Sequence, residues 1–160
     1  MMTIQTKHTM RVYILSVAIA LAVGASAALF TGGGMRDYAQ LIKPPLSPPG
    51  WMFPIVWTLL YTLMGISSGM VYLSHDDCRR DALEVYLLQL FLNFGWTILF
   101  FGFHWMLAAF VWLVVLESMI VIMIALFFPI RSIAAYLQIP YFFWVAFAAY
   151  LNLATYLLNP

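Results

Sequence analysis

Five long apolar runs, at 12–30, 51–73, 85–103, 105–128 and 133–158, constrain this chain more than any other feature. Four carry no charged residue, and the fourth in order holds a single acid, Glu117. A bilayer core about 30 Å thick is crossed by about 20 apolar residues in helical form, and each run reaches that length. Barrel strands would show ten-residue alternation, which is absent here. What remains is enough for tails and loops but not for another domain. The expected fold is therefore all-α, an integral membrane bundle of five transmembrane helices forming one domain over 1–160. Charged residues are 8% of the chain, against about 25% in soluble domains, so a soluble enzyme is excluded. Seven Lys and Arg against six Asp and Glu, with no basic run, leave no footprint for nucleic acid. The lone Cys78 and three scattered histidines offer no metal or haem spacing, so no cofactor is expected.

The first run follows Lys7 and Arg11 and passes through Ala25-Ser26-Ala27, the outline of a cleavable signal. Its apolar character continues to Phe30, and Ala20, Gly24 and Ala28 recur every fourth residue, so it is expected to stay as a close-packing first span. The longest loop, 31–50, has Gly32-Gly33-Gly34 in its first half and prolines at 44, 45, 48 and 49 in its second. A flexible first half and a stiff second half are expected, with Ser47 capping a helix that starts at Pro48. Between the second and third runs, His75, Asp76, Asp77, Arg79, Arg80 and Asp81 read as a solvated turn. Lys7, Arg11, Arg79, Arg80 and Arg131 fall on one side of the membrane and Arg36 and Lys43 on the other, which places the N-terminus inside.

Polar side chains at membrane depth should face protein or a cavity, because an unpaired one costs several kcal/mol in hydrocarbon. Gln89, Asn93, Trp96 and Phe100 step by 4, 3 and 4 residues and share one helical face, within about 60°. Trp57, Tyr61, Met64 and Ser68 repeat that spacing, and Tyr141, Trp144, Ala148 and Asn152 share a face within about 80°. One such stripe is ordinarily a packing seam. Three together describe a pocket that is apolar overall with a few placed polar groups, suited to a flat aromatic ligand. Glu117 has no Lys or Arg within two turns, so a neutral carboxyl bonded across the bundle or a dimer interface is expected. Gly65 and Gly69 form a GxxxG, and Pro140 should kink or break the last run.

Lys43-Pro44-Pro45, Pro48-Pro49-Gly50-Trp51, Phe53-Pro54, Trp57, Tyr61 and Met64-Gly65 resemble the loop and second helix of the tryptophan-rich sensory protein or translocator protein family. Gln89, Asn93, Trp96 and Phe100-Phe101-Gly102 resemble its third helix, and Pro140-Tyr141, Trp144, Phe147-Ala148 and Leu151-Asn152 its fifth. The resemblance implies a multi-pass membrane protein, often a homodimer, that binds porphyrins such as protoporphyrin IX or similar flat hydrophobic molecules. It also implies a light-dependent porphyrin breakdown associated, in this chain's numbering, with Tyr38, Trp57 and Trp144. The expected ligand-binding set is Tyr38, which the resemblance alone implies, with Trp57, Tyr61, Gln89, Asn93, Trp96, Trp144, Ala148 and Asn152 from the stripes, under loop 31–50 as a lid. A porphyrin-degrading enzyme and a tetrapyrrole transporter are the alternatives to a receptor or sensor. Leu46 stands where the family often has Trp, and Ile98 where it often has Pro, so a proline kink is not expected in the third helix. Tyr156 is followed by no Lys or Arg, leaving the weak sterol pattern incomplete.

Overall fold

A computed structural model describes residues 4–159, apart from the side chains of residues 4 and 35; residues 1–3 and 160 of the expected single domain lie outside the described residues. Seven α-helices and one π-helical segment follow in the order α1 (Ile4–Phe30), α2 (Gly34–Gln40), α3 (Met52–Tyr72), α4 (Arg79–Thr97), the π segment (Ile98–Gly102), α5 (Met106–Ile130), α6 (Ser132–Tyr136) and α7 (Ile139–Leu158). No strand occurs among the described residues. Five stretches, Gln5–Phe30, Met52–Tyr72, Arg79–Gly102, Met106–Ile130 and Ser132–Leu158, are long and apolar enough to cross a membrane. Large apolar side chains such as Ile14, Leu59, Phe91, Val114 and Phe143 are exposed on their outer faces. In a bilayer those faces meet acyl chains rather than water.

Small residues decide which helices touch. A Cβ at Gly65 would fall on the Val17 backbone and one at Gly24 on the Tyr61 ring, while one at Gly69 would stand 2.9 Å from Tyr13. The GxxxG thus serves α1 against α3 inside the bundle. The buried residues of the α1 seam are Ala20 and Ala27, whereas Ala28 is exposed. Elsewhere side chains bond to the backbone of a neighbouring helix. Trp112 Nε1 donates to the Leu92 carbonyl at 2.7 Å, Asn152 Nδ2 to the Met106 carbonyl at 2.7 Å, and Ser67 Oγ to the Ala134 carbonyl at 2.7 Å.

Several local expectations change. The glycine-rich half of loop 31–50 contains α2, which lies on the π segment closely enough that a Cβ at Gly34 would strike the Phe101 carbonyl. Ser47 does not cap a helix; its Oγ donates to the Pro44 carbonyl at 2.9 Å in a turn where Leu46 takes φ 68°. That places Pro54, not Pro48, in the first turn of α3, where a missing N–H costs nothing. Pro140 breaks the last run, separating α6 from α7 and standing in the first turn of α7. The third span loses its regular winding at Ile98 without any proline. Phe103 N donates to the Ile98 carbonyl at 2.9 Å, the wider step of a π turn.

Candidate functional site

The π turn aims two rings at the centre of the bundle. Tyr38, buried on α2, packs against Phe100 and Phe101 with ring centres 5.8 and 6.1 Å apart, and against Phe53 of α3 at 6.2 Å. Lys43 Nζ lies 5.7 Å from the same ring. Trp144 reaches Phe53 from the other side at 6.1 Å. The space expected between α3, α4 and α7 is therefore largely filled, and only about 20 Å³ remains beside Tyr38, Phe100 and Ala148.

A larger cavity, about 340 Å³, opens between α1, α3 and α4. Gly24, Ala27 and Ala28 form its α1 wall, Phe53, Trp57 and Tyr61 its α3 wall, and Trp96, Thr97 and Phe101 the third. Trp57 stands 5.6 Å from Tyr61 and 6.0 Å from Trp96, ring centre to ring centre, with planes inclined by 32° and 33°. No charged residue lines it among the described residues. The volume lies at the lower end of the about 300–1,000 Å³ usual for small-molecule sites.

The carboxamides expected in the pocket are bonded to protein. Tyr61 donates to Asn93 Oδ1 at 2.6 Å, Asn93 Nδ2 donates to the Tyr141 hydroxyl at 2.9 Å, and Tyr141 donates to Gln89 Oε1 at 2.9 Å. Asn152 Oδ1 accepts from Trp96 Nε1 at 3.3 Å. All three amides are buried, and none lines the cavity. They clamp α3, α4, α5 and α7 together, as hydrogen bonds between membrane helices commonly do.

Of the nine expected residues, the structure places Trp57, Tyr61 and Trp96 in the cavity wall and Tyr38 and Ala148 at the small adjoining void. Gln89, Asn93 and Asn152 sit behind the wall, and Trp144 packs on Phe53 with its Nε1 buried and without a partner among the described residues. The α1 wall and Phe53, Thr97 and Phe101 were not expected. The four-residue recurrence of Ala20, Gly24 and Ala28 was the trace of the α1 wall, and Phe53 and Phe101 stood in the resemblance motifs without being assigned to the site. Glu117 does not form the expected bond within the bundle: both carboxyl oxygens are buried without a partner among the described residues.

Comparisons with known proteins identify the family. The family model described as TspO/MBR family matches residues 16–157. The chain belongs to the TspO/MBR family. It is 36% identical over 151 residues to the tryptophan-rich protein TspO of Chlorobaculum tepidum, covering 91% of this chain and 94% of that one. With the tryptophan-rich protein TspO of Archaeoglobus fulgidus it shares 38% over 152 residues, 91% and 95% of the two chains. With the translocator protein of Ovis aries it shares 39% over 124 residues, 76% and 73%. As a TspO/MBR protein with five candidate spans, it is a membrane protein of the sensor or receptor type.

Proposed function

We propose that this TspO/MBR member is a membrane receptor whose ligand is a porphyrin such as protoporphyrin IX, or a similar flat hydrophobic molecule. The observation that carries this reading is the cavity wall, in which two indoles, a phenol and two phenyl rings surround an uncharged space. Rings stack on such faces for about 0.5–1.5 kcal/mol each beyond burial. A macrocycle needs more room than 340 Å³ provides, and α2 supplies it by withdrawing. Phe53, Trp96 and Phe101 border both the cavity and the void beside Tyr38, so lifting Tyr38 enlarges the void and frees these shared rings to turn and join the two spaces. Loop 31–50 then acts as a lid.

Titration of protoporphyrin IX into purified wild type and Trp57→Phe tests the reading. Affinity should fall about tenfold in the variant, which is about 1.4 kcal/mol. Equal affinities would remove stacking from the argument. Illuminating the complex and following the porphyrin absorption separates a receptor from a degrading enzyme, for which bleaching must outpace that of free porphyrin.

A further inference from the structure

The second half of loop 31–50 is apolar where a water-facing loop would be polar. From Leu41 to Trp51 one residue, Lys43, is charged, while Ile42, Leu46 and Trp51 are 62%, 80% and 65% exposed. The turn at the opposite end of the bundle, between α3 and α4, holds Ser74, His75, Asp76 and Asp77. Leu46 is also the residue at φ 68°, in a turn closed by Ser47 N donating to the Pro44 carbonyl at 3.3 Å. Glycine or asparagine takes that conformation at less cost, but neither would present an apolar side chain.

Two contacts fix the depth of this segment. Asn159, just past the end of α7, holds the Ile42 backbone at both its N–H and its carbonyl, and the Tyr150 hydroxyl donates to the Pro45 carbonyl at 3.0 Å. Tyr150 lies eight residues before Leu158, about 12 Å down the α7 axis, and helical Cα–Cβ bonds tilt further toward the N-terminus. From Ile42 to Pro45 the chain therefore descends along the side of α7 instead of resting above its end. Because α7 is about as long as a bilayer core is thick, that descent carries the Pro44–Ser47 turn to the edge of the hydrocarbon. Unbonded backbone N–H groups are costly there, and Pro44, Pro45, Pro48 and Pro49 have none.

We infer that residues 42–51 form a membrane anchor, with Ile42, Leu46 and Trp51 set into the boundary between headgroups and acyl chains of the leaflet on that side. Continuity points to lipid as the partner. Trp51, Ile55 and Leu59 recur every fourth residue as one exposed apolar stripe, so the loop extends the lipid-facing side of α3 without a polar break. Indoles favour that boundary, where an apolar ring and a polar N–H are both accommodated. The anchor is independent of what the cavity binds.

Nitroxide labels at single cysteines test the anchor, in a Cys78→Ser background that removes the chain's one native cysteine. Labels at Ile42→Cys and Leu46→Cys are compared, in phosphatidylcholine nanodiscs, with Leu59→Cys on the outer face of α3 and His75→Cys in the opposite turn. Collisions with oxygen, which concentrates in lipid, and with a water-soluble nickel chelate are measured by power saturation. At positions 42 and 46 the ratio of oxygen to nickel collisions should approach that of Leu59→Cys and exceed that of His75→Cys several-fold. A ratio at either position as low as that of His75→Cys overturns the anchor. Low collision rates with both reagents, accompanied by spin–spin broadening, overturn the assignment to lipid and place a second copy of the chain on this face.

Discussion

Glu117 is the residue whose chemistry is least settled by its own chain. Its carboxyl oxygens are buried and have no partner among the described residues, while its neighbours on α5, Leu113, Leu116 and Ile120, are fully packed. Leaving a polar group unsatisfied in this way costs about 1–3 kcal/mol, and replacing it by an apolar group of similar size removes the penalty. Glu117→Leu should therefore melt at or a few degrees above wild type, measured in detergent at protein concentrations where the chain is monomeric. Under conditions that favour association the sign tells more. If a second copy supplies the missing partner, as in the homodimer that the family resemblance implies, Glu117→Leu should weaken association. That Glu117 needed explaining was legible from hydropathy alone, because an acid amid Leu, Val and Ile is costly wherever the helix lies. Whether anything answers it was not legible, because its neighbours come from helices distant in sequence.

At the level of elements, close approach and tethering decide what moves. Because a Cβ at Gly65 would fall on the Val17 backbone, Gly65→Ala must push α1 away from α3. Overpacking of this kind typically costs about 1–3 kcal/mol. Since α1 and α3 form two walls of the cavity, the same substitution should lower both melting temperature and affinity for protoporphyrin IX, whereas a surface change on α1 should lower neither. The loop is tied differently. Asn159 at the end of α7 accepts from Ile42 N at 3.0 Å and donates to the Ile42 carbonyl at 3.0 Å, and Tyr150 donates to the Pro45 carbonyl at 3.0 Å. On the far side of α2, His104 Nε2 stands 3.4 Å from Asp37. If α2 must withdraw to admit ligand, Asn159→Ala should raise the association rate several-fold in stopped-flow quenching of tryptophan fluorescence, with melting temperature nearly unchanged. An unaltered rate would argue that ligand enters between α1 and α4 instead.

Over the whole molecule, orientation in the bilayer is open to a direct test, because Cys78 is the chain's single cysteine and is exposed in the turn between α3 and α4. With the N-terminus inside, that turn is also inside, so a membrane-impermeant thiol reagent should label Cys78 in inverted vesicles but not in intact cells. The opposite pattern reverses the topology. The sequence by itself determined the class and the layout: runs of about 20 apolar residues in lipid have to satisfy their backbone within a helix, so span number and approximate bounds follow from hydropathy. It also determined which faces turn inward, since an amide or indole at membrane depth is drawn to protein, and the stripes through Tyr61, Asn93 and Tyr141 do meet. Only the tertiary structure decided what those faces do on meeting. Whether an inward amide lines a hollow or closes a bond depends on which partner lies opposite and at what distance, and Asn93 finds two tyrosines. An open space of about 340 Å³ lies instead beside α1, bounded by Gly24, Ala27 and Ala28, and its position depends on how closely α1 approaches α3.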